Sequence, residues 1–232
     1  MDSQDRAASA AVQAIRAGDT TSLSALLDEN PALANAHIHD GRTPLLVVTD
    51  WPGYFPHGPA IVRLLIEAGA DPNADTGGDQ PETPLHWAAS SDDADVAAAL
   101  IDAGADLERP GGSIGTPLDN AIGYGCWNVA RLLVQRGAQV GKLWHAAALG
   151  IMSRVEELLA TAPAPTPDDI TEAFWQACHG GQRRTAEHLL ASGADPSQTP
   201  GYSDQTALQA AQEHGTQRDN LITWLQDRQQ AT

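Results

Sequence analysis

Basic residues are scarce in this 232-residue chain: 13 Lys and Arg stand against 30 Asp and Glu, a formal net charge of −17. Phosphate recognition needs a concentrated Lys/Arg surface that displaces counterions, so this balance argues against nucleic acid and, for the same reason, against an anionic membrane. Cysteine is nearly missing too. Cys126 and Cys178 fall in separate helix-like stretches, which leaves no disulfide framework and fits a reducing compartment. Long apolar runs are absent: none approaches the roughly 20 residues that cross a bilayer. The opening MDSQDRAASA has neither the basic start nor the apolar middle of a signal peptide, so a cytoplasmic location is expected. Metal and phosphate motifs are lacking as well, with no Cys-x-x-Cys, no His-Glu-x-x-His, no calcium loop and no glycine loop ending in Lys. No cofactor and no metal are therefore expected. His37 and His39, with His57 further on, read as solvated loop residues rather than ligands.

What is present is a repeated apolar stripe. Residues at i, i+3 and i+4 recur at Leu23/Leu26/Leu27, Ile61/Leu64/Leu65, Ala97/Leu100/Ile101, Val129/Leu132/Leu133, Val155/Leu158/Leu159, Ala186/Leu189/Leu190 and Leu221/Trp224/Leu225. Each marks one buried face of a short helix. The hydrophobic share is 42%, with Ala far commoner than Phe or Tyr, which suits close-packed short helices. A unit of this size cannot bury its apolar face alone, and stacking on neighbours is what completes it.

The clearest copy runs from Thr83 to Asp106, TPLHWAASSDDADVAAALIDAGAD, and it resembles an ankyrin repeat. Thr83 is placed to cap a first helix, Pro84 to occupy its first position, where a missing N–H costs nothing, and Gly104 to end the second helix in a left-handed turn. The resemblance implies an all-α ankyrin repeat solenoid of about seven helix-pair units. It implies a single domain over 1–232, with an N-terminal cap unit at 4–35, central repeats at 36–205 and a C-terminal cap unit at 206–232. First helices are expected to open at Thr43, Thr83, Thr116, Gly141, Glu172 and Thr206, in steps of 40, 33, 25, 31 and 34 residues. The family norm is about 33, so the departures mark special features. An insertion follows Asp50. The connection after Gly137 is too short for the projecting finger that joins regular units. The APAPTP segment before Glu172 reads as an extended connector. Asp119 replaces the usual His in its unit. Trp144 and Trp175 stand in the same slot as His86, so the hydrogen-bonding role of that His is expected to be lost in the fifth and sixth units.

The resemblance also implies binding on the concave surface, made by the ends of the first helices and the finger tips. Trp51, Tyr124 and Leu149 fall there as an apolar strip, His179 stands at the corresponding place in its unit, and Tyr54 and Phe55 lie on the insertion beside them. Aromatics with polar tips suit such a site. Trp87, Trp144, His145 and Trp175 lie one turn earlier and are expected to pack between repeats, while Trp224 closes the last stripe. The reading is a non-catalytic module that recognises a protein partner through its concave face and the 51–59 loop. The alternative is a small-molecule site or an enzyme in a hollow roofed by that loop, with Asp50, His57, Tyr124, His179 and Glu213 as its acid–base groups.

Overall fold

The computed structural model describes residues 3–38, 41–213 and 215–230, which divide into two compact units, 1–138 and 139–232. The division falls within the shortened connection after Gly137. The first unit holds four helix pairs: α1 (Ser3–Ala17) with α2 (Thr20–Glu29), α3 (Pro44–Val48) with α4 (Gly58–Glu67), α5 (Pro84–Ser90) with α6 (Ala94–Asp102), and α7 (Pro117–Gly123) with α8 (Trp127–Gln135). The second holds three: α9 (Leu143–Leu149) with α10 (Met152–Leu159), α11 (Pro167–His179) with α12 (Arg183–Ala191), and α13 (Ala207–Ala211) with α14 (Asp219–Gln230). The fold is the all-α repeat array expected, with seven pairs among the described residues.

Local chemistry sets the start of each first helix. Thr43, Thr83 and Thr116 take extended backbone angles immediately before Pro44, Pro84 and Pro117. Thr116 Oγ1 accepts from the Asp119 N–H, and Asp119 Oδ2 accepts from the Thr116 N–H at 2.7 Å. His86 Nδ1 does the same for the Thr83 N–H at 3.1 Å, so Asp119 and His86 are two solutions to one capping problem. Each such cap is worth about 1 kcal/mol. The second helices of the first unit bury two of the three residues in each stripe: Leu23, Ile61, Leu65, Ala97, Leu100, Val129 and Leu133 are sealed from solvent, while Leu26, Leu64, Ile101 and Leu132 are half-buried. Between units the fingers are tied by amides. Asn73 Nδ2 donates to Gly104 O at 3.2 Å while its Oδ1 accepts from the Asp106 N–H at 2.8 Å, and Asn35 repeats this toward Gly69 and Asp71.

Three expectations about the second unit need correction. The sixth first helix does not open at Glu172 without a Thr-Pro pair. Thr166 caps it, Pro167 is its first residue, and Asp169 returns a hydrogen bond to the Thr166 N–H at 2.8 Å. The end of the APAPTP segment is thus the helix start, and Glu172 lies inside the helix. The role of His86 is not lost there either. His86 Nε2 bonds Gly115 O, the carbonyl just before the next unit's Thr116, at 3.1 Å. Trp175 Nε1 donates to Gln205 O, just before Thr206, at 2.8 Å. An indole N–H reaches the same kind of carbonyl as an imidazole N–H, so either ring ties one unit to the next. In the fifth unit only Val155 of the expected stripe is fully buried, Leu158 and Leu159 being half-buried.

Candidate functional site

The loop after α3 is laid across the turns of the units on either side. A β-carbon on Gly18 would stand 2.5 Å from Pro56 O, and one on Gly53 would stand 3.0 Å from Ser91 Cβ. The Tyr54 N–H donates to Asp93 Oδ2 at 2.8 Å, and the Tyr54 hydroxyl donates to Asp92 O. Burial, followed by the charges of Asp92, Asp93 and Asp95, pushes the Tyr54 hydroxyl above its usual pKa, so it stays a neutral donor. Phe55 is half-buried, His57 is exposed in a left-handed backbone conformation before α4, and Trp51 is left 80% exposed. Tyr124, at the end of α7, is 60% exposed. It adjoins Cys126, which lies beside Asp92 and so close to the point where Tyr54 is anchored.

The turn that carries this loop is itself a capping hub. Asp92 has φ +55°, a conformation that Asp tolerates better than most side chains. Its carboxylate accepts from the N–H groups of Asn128 and Val129, both at 2.9 Å, and from Asn128 Nδ2 at 2.8 Å, capping α8 of the next unit. Asp93 caps its own α6 through the Val96 N–H at 3.1 Å. Asp92→Ala should therefore cost about 1–3 kcal/mol, the sum of a lost cap and backbone strain. Asp92→Asn, which keeps the tolerance and a carbonyl acceptor, should cost less. Urea unfolding of the two variants checks this, and equal losses would mean that the carboxylate caps nothing.

Asp50 does not stand free as an acid–base group. Its Oδ2 takes Arg42 Nη1 at 2.7 Å and Arg16 Nη2 at 3.3 Å. Trp87 is half-buried rather than packed in the core between repeats. The Arg42 guanidinium lies over its ring at 5.3 Å, and its Nε1 donates to Glu82 Oε2 at 3.1 Å. Glu82 Oε1 in turn accepts from Asn120 Nδ2 at 3.0 Å. These residues form one polar band along the first helices of the first unit.

In the second unit His145 and Trp175 are buried as expected, while Trp144 and Leu149 are half-buried. His179 is also buried. Its Nε2 meets Glu213 Oε2 at 3.0 Å, the one pair among the proposed acid–base residues that the structure brings together. Burial lowers the pKa of His179, and the Glu213 charge and hydrogen bond oppose that only in part. Asp50, His57 and Tyr124 belong to the first unit. His37 Nδ1 lies 2.9 Å from Gly41 O, and His39 lies outside the described residues. Both cysteines are buried, and burial raises Cys126 to about 11 and Cys178 further, so neither is a nucleophile. The hydrolase pattern Gly-x-Ser-x-Gly, expected to be absent, is in fact spelled by the run Gly111 to Gly115. Gly111 and Gly115 instead bridge each other in a finger turn, and α7 begins only at Pro117, so Ser113 does not sit on the strand-to-helix elbow that this chemistry needs.

The sequence model of the ankyrin repeats, in three copies, matches residues 54–142. Neurogenic locus notch homolog protein 1 of Danio rerio is 33% identical over 116 residues, which is 50% of this chain and 4% of that protein. Ankyrin repeat and SOCS box protein 16 of Homo sapiens is 32% identical over 149 residues, 47% of this chain and 32% of that protein. The E3 ubiquitin-protein ligase KEG of Arabidopsis thaliana is 31% identical over 159 residues, 67% of this chain and 9% of that protein. The chain thus spans less than a third of the length of each curated relative. Among solved structures, the ankyrin repeat domain of Bcl-3 is similar at a TM-score of 0.55 with 24% identity, covering 94% of this chain and 97% of that one. That likeness carries the fold. Residues 54–142 are thus ankyrin repeats by sequence, and the described chain as a whole has the ankyrin repeat fold.

Proposed function

We propose that the chain is a non-catalytic, cytoplasmic recognition module that binds a protein partner on the first unit, at the patch formed by Trp51, Tyr54 and Tyr124. The observation that carries this reading is the exposure of Trp51. At 80% exposed it makes no hydrogen bond or ring contact with any described residue, although it stands on a loop otherwise fastened to both neighbouring turns. A large aromatic left in water at a fixed position is what binding surfaces use as an anchor. The free buried cysteines fit a reducing compartment.

Stability and binding must separate if this is right. A Trp51→Ala/Tyr124→Ala variant should change unfolding free energy by no more than about 0.5 kcal/mol, as for other surface substitutions. Each change should weaken partner binding by about 2 kcal/mol, roughly thirtyfold. Parallel urea titration and binding isotherms test this. A variant that unfolds early yet binds normally would make the aromatics structural and place recognition elsewhere.

A further inference from the structure

Hydrogen-bonding capacity around the aromatic patch is unevenly spent. The Asp92 carboxylate takes three donors from Asn128 and Val129, and the two oxygens of Asp93 take Val96 and Tyr54. Glu82 takes Trp87 and Asn120. Asp95, in the first turn of α6, faces that helix's positive end. The acids bordering the patch are therefore already engaged.

The cations are engaged only in part. Arg16, in the last turn of α1, and Arg42 both point at the same single oxygen, Asp50 Oδ2, next in sequence to Trp51. Each guanidinium carries five N–H donors in a rigid fork, and together they offer far more than one oxygen can accept. Asp50 and Glu82 balance the two charges of this band, so what is left over here is guanidinium N–H donors rather than net charge. Their side chains are 52% and 32% exposed, so the remaining donors are accessible. Stacking on Trp87 holds the Arg42 fork in one orientation, which lowers the ordering cost of a bidentate contact.

We propose that Arg16 and Arg42 form a receptor for a carboxylate, and that the partner segment seated on the aromatic patch presents an Asp or Glu side chain to them. This rests on the recognition reading above and adds the chemistry of the partner. The complementary groups are the exposed Trp51, next in sequence to Asp50, and the guanidinium N–H donors that Asp50 leaves unfilled. The overall negative charge works against a weakly held acid at long range, so the contact selects for an acid docked at close quarters.

The test is a selection of random dodecapeptides displayed on phage against the full chain. Enriched peptides should pair an aromatic or aliphatic residue with Asp or Glu. Replacing that acid by its amide should weaken binding at least about tenfold, and Arg16→Ala or Arg42→Ala should weaken it by a similar factor while the amide peptide binds all three proteins alike. Because Arg42 also contacts Trp87, Arg16→Glu serves as a second variant, and it should shift enrichment toward Lys-bearing peptides. Enrichment of peptides that depend on Lys or Arg for the unmodified chain, acid peptides indifferent to both Arg variants, or no enrichment at all would overturn the proposal. Peptides that lose binding to Trp51→Ala/Tyr124→Ala but ignore the Arg variants would overturn this inference alone. Peptides that ignore the aromatic variant would overturn the reading beneath it.

Discussion

Leu100→Ala is expected to destabilise the first unit by about 2–5 kcal/mol. Leu100 is sealed from solvent in α6, which packs against α4 on one side and α8 on the other as well as against its own partner α5. Truncation there removes three carbons from a seam shared by successive units, and rigid neighbours on both sides limit collapse into the cavity. Urea unfolding followed by far-ultraviolet circular dichroism reads the effect as a lower midpoint with an unchanged slope. A cost below about 1 kcal/mol would mean that the Leu100 register is not the one on which the units stack.

Gly180→Ala should be as damaging in the second unit, for a different reason. Gly180 has an ordinary φ of −76°, so no special backbone conformation demands a glycine. A β-carbon there would stand 2.0 Å from Ala148 O and 2.8 Å from the carbonyl carbon, both backbone atoms that no rotamer change can move aside. The helices α9 and α11 would have to separate, at a cost of about 3 kcal/mol or more. Gly201→Ala is the control, since a β-carbon at that position meets nothing within 4 Å. Thermal melts should find the first variant strongly destabilised and the second close to the parent. Equal melting temperatures would refute the close approach of α9 and α11.

Most of the fold was legible because its signals are local. Thr-Pro before an apolar turn, three or four residues between buried aliphatics, and a Gly at the helix stop each act within one unit, and together they locate the helix pairs. The start of α11 was misread for an instructive reason. Counting repeat lengths pointed to Glu172, whereas the capping box of Thr166 and Asp169 lay inside a proline-rich run that reads as a connector. The bridging role of Trp175 is not evident in the sequence because the repeat pattern has an imidazole in that slot, whereas the position requires only an N–H at the right reach of Gln205 O.

The candidate site was legible only in part. The surplus length of the turn after Asp50 marks its aromatics as dispensable to the repeat, and Trp51 is indeed the most exposed of the large apolar side chains described. What the sequence does not reveal is which polar groups are already engaged. Asp50 meets Arg16 from 34 positions away, and His179 meets Glu213 across an equal separation. Such pairings come from stacking, and no periodicity within one unit predicts them.

Amide hydrogen exchange of the full chain, with and without a saturating display-selected peptide, tests the central claim most directly. Binding at the aromatic patch predicts slowed exchange in residues 50–57 and 87–93 and around Tyr124, with the second unit unchanged. Protection confined to the second unit, for instance around His179 and Tyr202, would contradict it.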